Sequence, residues 1–155
     1  MRKIIFTCFA VLIFTAGGFA ETKHYFVSRV IDGDTVKLAD GSKVRYIGID
    51  TPETRRRVWG GWMWAPEPYA KKAKEYNEEL VFGKKVRLEF DKEKRDKYRR
   101  LLAYVYTPEG KMVNEEILKK GYAEMLTIPP NTKYFDIFEK AQKKAKRDNL
   151  GIWKN

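Results

Sequence analysis

The chain has 155 residues, and 32 Lys and Arg against 21 Asp and Glu give it a formal net charge of +11 at pH 7. This charge is typical of a domain that binds a polyanion such as nucleic acid, although it also serves solubility. The single cysteine, Cys8, and the single histidine, His24, argue against a disulfide framework, a zinc site of Cys and His, and a histidine general base.

The first twenty residues have the pattern of a secretory signal peptide. Arg2 and Lys3 precede an apolar run over 4–14, and small residues at 16–20 follow it. The run is short for a membrane span, so an uncleaved anchor is the less favoured alternative. We therefore expect a signal peptide over 1–20, one domain over 21–155, and a secreted or periplasmic location after cleavage.

The rest of the chain alternates strand-like and helix-like patterns. β-branched and aromatic residues predict strands over 24–31, 35–38, 43–49, 84–90 and 101–107. Apolar residues at helical spacing predict helices over 66–80, 113–120 and 132–149. The first helix is expected to bury a stripe of Tyr69, Ala73, Tyr76 and Leu80. A long loop with three tryptophans is predicted over 54–68.

Two Asp-Gly pairs, at Asp32-Gly33 and Asp40-Gly41, predict tight turns that join the first three strands into a meander. Five short strands with a helix inserted after the third predict an α+β fold. The expected architecture is a five-stranded OB-fold barrel with three helices, two of them C-terminal.

Acidic residues cluster at two places in this basic chain. Asp32 and Asp34 flank Gly33, where an Asp-Gly turn is the more common role. Asp50 and Glu53 follow the third strand, where they fit a capped turn equally well. If the meander brings Asp34 near Asp50, the two carboxylates can share a hard cation such as Ca²⁺ or Mg²⁺.

Arginines provide the second chemical signal. Arg45 lies on the third strand, and Arg99 and Arg100 precede the fifth. A basic pair on a basic protein is most often a solvated surface feature. The alternative is a phosphate site, because the planar guanidinium fork matches phosphate oxygens in a bidentate way.

Five segments together resemble the staphylococcal nuclease (thermonuclease) family. They are "VIDGDTVKL", "VRYIGIDTPE", "DKYRRLLAYVY", "MVNEEILKKGYAE" and "LGIW", and they run in order from about Tyr25 to Trp153. The resemblance implies an OB-fold endonuclease that uses Ca²⁺ to hydrolyse DNA and RNA phosphodiesters. Its products would carry a 3′-phosphate and a 5′-hydroxyl.

Carried over by motif, the resemblance implies a calcium site made of the Asp34 and Asp50 carboxylates and the main-chain carbonyl of Thr51. Asp32 is expected to be a helper near the metal rather than a ligand.

The resemblance also implies catalytic and substrate-binding residues. Glu53 would orient or deprotonate the attacking water, and Arg45 and Arg100 would hold the scissile phosphate. Lys97 and Tyr98 match positions that contact a terminal phosphate. The implied partners are DNA and RNA, with single strands favoured, and the chain is expected to be a monomer without a stable protein partner.

Three departures from the family pattern are visible. Arg99 stands where the family usually has glycine, and "MLTIPPN" offers Thr127 and Ile128 where aromatic residues are expected. The third departure is the set of tryptophans in the 54–68 loop, Trp59, Trp62 and Trp64. They either stack on unpaired bases or cover the following helix.

The alternative function for the whole chain is a non-catalytic OB-fold module that binds nucleic acid.

Overall fold

The computed structural model describes residues 23–154, and for 55–58 it describes the backbone alone. The predicted signal peptide over 1–20 lies outside the described residues. Within the described part of the chain, no helix combines the length and the apolar character that crossing a bilayer requires.

The described residues form nine strands and three α-helices. The strands are β1 (His24–Asp32), β2 (Thr35–Leu38), β3 (Lys43–Tyr46), β4 (Gly48–Asp50), β5 (Arg55–Val58), β6 (Gly61–Trp64), β7 (Lys85–Glu89), β8 (Leu101–Tyr106) and β9 (Glu124–Leu126). The helices are α1 (Ala70–Val81), α2 (Val113–Lys119) and α3 (Phe135–Arg147).

Five strands close into a barrel in the order β1-β2-β3-β8-β7. Strands β3 and β8 are parallel, and the other neighbours are antiparallel. The barrel is filled by alternating apolar side chains, because successive residues of a strand point to opposite faces. Fully buried valines from all five strands line this core: Val27, Val36, Val44, Val86 and Val105. The predicted α+β barrel with three helices is confirmed.

The predicted third strand over 43–49 is wrong in one respect, because it is interrupted at Ile47. Gly48 has a φ of +82°, and a Cβ on it would lie 2.5 Å from the Phe138 ring of α3. The chain therefore turns there and leaves the barrel as β4, which pairs with the unpredicted strand β9. Buried Asn114 donates a hydrogen bond to the Ile47 carbonyl, which satisfies the backbone at the break.

Helices α1 and α3 begin or end more than one residue from the predicted positions. Helix α1 begins at Ala70 rather than at residue 66, because Tyr69 has a left-handed φ of 67°. Helix α3 begins at Phe135 rather than at residue 132, because Tyr134 is not helical. It ends before Asn149, which is also left-handed, with a φ of 50°.

The buried face of α1 is also rotated from the predicted stripe. It consists of Ala70, Ala73, Asn77 and Val81, so only Ala73 was correctly placed in it. Tyr76 and Leu80 are partly buried against the edge of the core.

The predicted loop over 54–68 is instead a β-hairpin of β5 and β6, with four paired positions from Arg55↔Trp64 to Val58↔Gly61. The glycines at its turn, Gly60 and Gly61, have φ values of +93° and +147°. This conformation is open to glycine and costly for other residues.

A hydrogen-bonded group ties the end of β7 to the start of α3. Glu89 accepts hydrogen bonds from the Lys133 ammonium and, at 2.8 Å, from the Tyr134 hydroxyl. Burial raises the pKa of Glu89, but the hydrogen bonds from Lys133, Tyr134 and Tyr106 lower it more strongly, to about 2. The ionised form of Glu89 therefore helps to attach α3 to the barrel.

This pKa predicts a specific acid sensitivity. Because the pKa of Glu89 lies below its usual value of 4.5, the unfolded state binds more protons between pH 4.5 and pH 2. The stability that Glu89 contributes is complete above pH 4.5 and is lost as pH falls toward 2. The loss amounts to at most about 3 kcal/mol.

Urea unfolding of Glu89→Gln between pH 7 and pH 2.5 measures this effect, with exposed Glu79→Gln as the matched control. We expect Glu89→Gln to be less stable than the control variant at pH 7, with the difference shrinking as pH falls. A constant difference across this range would show that the charge of Glu89 is unimportant.

Candidate active site

The sequence "IDGDT" forms the two-residue turn between β1 and β2, with Asp32 paired to Thr35 across it. A Cβ on Gly33 would lie 2.8 Å from the Ala73 Cβ and from two atoms of the Thr51 side chain. Glycine is therefore required here because the segment after β4 and helix α1 both press on the turn. The same packing buries Asp34, whose side chain is 1% exposed. The segment Asp32-Gly33-Asp34 can therefore be both a tight turn and part of a functional site.

The buried Asp34 carboxylate is surrounded by donors. It accepts hydrogen bonds of 2.9 Å from the Thr51 backbone N–H, the Thr51 hydroxyl and the Thr35 hydroxyl. It also forms an ion pair with Arg45. Burial raises the pKa of Asp34, while Arg45 and these hydrogen bonds act in the opposite direction. The ionised form of Asp34 therefore needs a cation beside it, because removing an ion from water costs free energy.

Arg45 connects the two acidic segments. Its position opposite Thr35 in the β2–β3 ladder brings the guanidinium beside the turn. One terminal nitrogen pairs with Asp34, and the other pairs with Asp50 at the end of β4. The two carboxylates raise the pKa of Arg45 although its burial acts to lower it, so the side chain stays charged. The structure therefore brings Asp34 and Asp50 together on one positive charge, as the meander argument predicts.

The donor set is suited to a hard cation but is small. Within residues 23–154, no cluster of three or more Asp, Glu, His or Cys side chains is arranged to hold a metal ion. The carboxylates of Asp34 and Asp50 nevertheless converge on the Arg45 guanidinium. Thr51 donates its backbone N–H to the Asp34 carboxylate. Oxygen ligands of this kind fit Ca²⁺, which commonly completes its coordination with water. The two carboxylates are therefore ligands of the type that a hard cation takes.

A cavity of about 450 Å³ adjoins this group of charges. It is lined by Arg45 and by Lys97, Tyr98 and Arg100 from the segment before β8. Parallel pairing of β3 with β8, with Arg45 opposite Leu102, is what brings the two arginine-bearing segments together. The structure thus places all four predicted phosphate-contacting residues around one space.

Arg100 is held in place by Asp96, four residues before it in the same loop. Its Nε donates to Asp96 at 2.6 Å, and its guanidinium lies 5.5 Å from the centre of the Tyr98 ring. The carboxylate of Asp96 also accepts the backbone N–H groups of Tyr98 and Arg100. Burial raises the pKa of Asp96, but these hydrogen bonds lower it more, so the acid stays ionised. Sequence reasoning missed Asp96, although its four-residue spacing from Arg100 was visible.

Apolar side chains from the segment around β9 also line the cavity. Leu126 and Ile128 line it, at 40% and 62% exposure, whereas Thr127 is not among the lining residues. The aromatic residues expected there from the family pattern are absent from the sequence at these positions.

Glu53 lies beside the carboxylate pair but not in the cavity lining. Its backbone N–H donates to the Glu67 carboxylate at 3.0 Å, and the Glu67 N–H donates to the Glu53 carbonyl at 3.0 Å. Burial and then the charges of Asp32 and Asp34 raise the pKa of Glu53. Glu53 is exposed, so water can reach its carboxylate.

Two residues that sequence reasoning missed support this geometry. Thr54, which is buried, donates its hydroxyl hydrogen bond to Asp32. Asn77 on α1 accepts from the Tyr46 hydroxyl at 2.9 Å and donates to the Asp32 carbonyl at 3.1 Å. A signal for Asn77 existed, because it lies four residues after Ala73 on the apolar stripe of α1. Asp32 is therefore a structural neighbour of Asp34, anchored from both sides.

Arg99 occupies a backbone position suited to glycine. Its φ is 65°, in a tight loop closed by hydrogen bonds between the backbones of Asp96 and Arg100 and between Arg99 and Asp96. A left-handed conformation costs a residue with a side chain roughly 1–2 kcal/mol, and glycine avoids this cost. The usual glycine of the family at this position thus has a conformational explanation.

We expect Arg99→Gly to stabilise the protein by about 0.5–1 kcal/mol, the backbone strain relieved less the entropy that glycine loses on folding. Arg99→Ala is the matched control, because it removes the same side chain and keeps the strain. Urea unfolding measures both variants. Equal stabilisation by alanine would attribute the effect to the side chain instead.

Comparison with known proteins identifies the family of the chain. The model of the family described as staphylococcal nuclease homologue matches residues 43–155. Endonuclease YncB of Bacillus subtilis (strain 168) is 46% identical over 132 residues, which are 82% of this chain and 60% of YncB. The chain therefore spans about three fifths of that relative's length.

Two thermonucleases match over a larger share of their own length. The Staphylococcus intermedius protein is 41% identical over 134 residues, covering 84% of this chain and 76% of the relative. The Staphylococcus hyicus protein is 41% identical over 140 residues, covering 88% of this chain and 79% of the relative. These matches confirm the resemblance drawn from the five sequence segments. The chain belongs to the staphylococcal nuclease homologue family.

Proposed function

We propose that the chain is a Ca²⁺-dependent endonuclease that hydrolyses the phosphodiester bonds of DNA and RNA. The observation that carries the proposal is the position of Arg45. Its guanidinium joins the Asp34 and Asp50 carboxylates and also lines the cavity that contains Arg100. A cation-binding acid pair and two arginines for a phosphate therefore adjoin one another. The relatives named as endonuclease and thermonuclease support the same activity.

In this proposal, Asp34, Asp50 and the carbonyl of Thr51 hold the calcium ion. When bound, Ca²⁺ supplies positive charge that stabilises the negative charge developing on the phosphate. Thr35 and the Thr51 backbone N–H keep the Asp34 carboxylate oriented through their hydrogen bonds. A ligand with fixed geometry loses less entropy when it binds the ion.

The remaining residues act on the substrate. Arg45 and Arg100 bind the scissile phosphate, where their fixed positive charge favours the more highly charged transition state. Glu53 orients or deprotonates the attacking water. Loss of the 5′-oxygen leaves a 3′-phosphate and a 5′-hydroxyl. Lys97 and Tyr98, which line the same cavity, bind a terminal phosphate.

The alternative function is a non-catalytic module that binds nucleic acid. Such a module needs basic residues, and a buried acid such as Asp34 beside Asp50 would weaken its contact with a phosphate backbone. A hydrolase needs these acids for its cation. The acid pair therefore favours the enzyme over the binding module.

We expect the purified protein to degrade single-stranded DNA and RNA with Ca²⁺ and to leave both intact when a calcium chelator replaces it. The chelator removes the charge that the proposal assigns to the acid pair. Gel electrophoresis follows the digestion, and end labelling with and without phosphatase identifies the 3′-phosphate and the 5′-hydroxyl. Tight binding with no cleavage under either condition would establish the binding module instead.

We expect Glu53→Gln and Arg100→Lys each to lower kcat by about 10²-fold or more. The first removes the base that acts on water, and the second removes bidentate contact with the phosphate. Arg29→Lys, an exposed change on β1, is the matched control and should keep full activity. Initial rates measure turnover, and circular dichroism confirms the fold. Unchanged kcat in either variant would remove that residue from the mechanism.

A further inference from the structure

The hairpin of β5 and β6 carries three exposed tryptophans, Trp59, Trp62 and Trp64. All four residues of β6, Gly61–Trp64, are exposed on both faces of the strand. Trp62 and Trp64 are 67% and 59% exposed, and Trp59 before the turn is fully exposed. Of the two alternatives for these rings, stacking on bases or covering the following helix, their exposure favours the first. Exposed apolar surface concentrated in one segment is characteristic of an interaction site.

The hairpin register pairs these rings with basic positions. Arg55 lies opposite Trp64, and Arg57 lies opposite Trp62. Directly paired positions of an antiparallel ribbon share one face, so this face alternates two arginine positions with two tryptophans. Met63 is paired with Arg56 on the other face. The ribbon thus combines flat apolar rings with positive charge, which is the combination that binds single-stranded nucleic acid.

The spacing of the two rings favours unpaired bases. Residues two apart on a strand are separated by about 7 Å. Successive nucleotides of one strand in a duplex are only about 3.4 Å apart. Two adjacent bases that each stack on one ring must therefore be drawn apart, which an unpaired strand permits and a duplex resists.

The base of the hairpin is attached to the candidate active site. Glu53 and Glu67, just outside the two strands, exchange two hydrogen bonds that close the hairpin at its base. Thr54, directly before β5, donates a hydrogen bond from its hydroxyl to the Asp32 carboxylate beside the β1–β2 turn. The base of the ribbon therefore adjoins the β1–β2 turn that carries Asp34.

We propose that the hairpin 55–64 binds unpaired bases by stacking them on Trp62 and Trp64, while the arginine positions opposite neutralise the adjacent phosphates. This inference rests on the proposed function, because it assigns the ribbon to the strand cleaved at the neighbouring site. It makes the hairpin the origin of a preference for single strands. An anionic lipid surface is the other partner that tryptophan and arginine attract, and the test includes it.

The test is equilibrium binding without cleavage. Fluorescence anisotropy follows a labelled twelve-residue oligo(dT) titrated with protein in a calcium chelator. We expect the double variant Trp62→Ala/Trp64→Ala to raise the Kd about tenfold or more. Trp62→Phe/Trp64→Phe keeps the flat rings and should retain most of the affinity. Phe82→Ala is the matched control for loss of an exposed aromatic residue outside the hairpin, and it should change nothing.

The same titration with a labelled duplex identifies the mechanism. We expect the duplex affinity of the double alanine variant to change less than twofold, because paired bases are not available to stack. Unchanged oligo(dT) affinity would overturn the inference, and so would an equal loss for single strands and duplex. A variant that loses binding to phosphatidylglycerol vesicles but keeps oligo(dT) affinity would assign the hairpin to a membrane.

Failure of the inference is distinguishable from failure of the proposed function. If wild-type protein cleaves DNA with Ca²⁺ and the double variant binds oligo(dT) as well as wild type, the inference alone is wrong. If wild-type protein neither binds nor cleaves, the proposed function is wrong and the inference falls with it.

Discussion

The buried carboxylate of Asp34 is the constraint on which the rest of the site depends. A charge so far from water is unfavourable unless hydrogen bonds and a cation compensate it. Thr35, Thr51 and Arg45 supply that compensation. Gly33 permits it, because a larger residue would push the turn away from Thr51 and α1. The turn between β1 and β2 is therefore in contact with three other segments: β3 through Arg45, the segment after β4 through Thr51, and α1 through Ala73.

The barrel converts this local arrangement into a site. Parallel pairing of β3 with β8 brings Arg45 beside the segment that carries Arg100. The break at Gly48 then turns the chain out of the barrel, so that Asp50 at the end of β4 returns to the same guanidinium. A continuous third strand would extend away along the barrel instead. The irregularity at Gly48 is thus as important for the site as the regular strands.

The sequence predicted those features that depend on local patterns. β-branched and aromatic residues and the Asp-Gly turns predicted the five barrel strands, and the segments of the family pattern located Asp34, Asp50, Arg45 and Arg100. Features set by distant contacts were missed. At Gly48 the Phe138 ring of α3 leaves no room for a Cβ. The start of α1 was missed for a local reason, because the left-handed conformation of Tyr69 is not visible in the helical spacing. The hairpin was missed because β6 buries none of its four residues, so it lacks the apolar–polar alternation that marks a half-buried strand.

The most direct test of the central claim is whether the charge of Asp34 serves a cation. Isothermal titration calorimetry measures Ca²⁺ binding to wild type, to Asp34→Asn, and to Asp40→Asn as an exposed control. The account predicts a clear binding isotherm for wild type and the control, and affinity weakened by at least tenfold in Asp34→Asn. Equal Ca²⁺ affinity in all three proteins would show that Asp34 is a structural acid neutralised by Arg45, and that the calcium assignment is wrong.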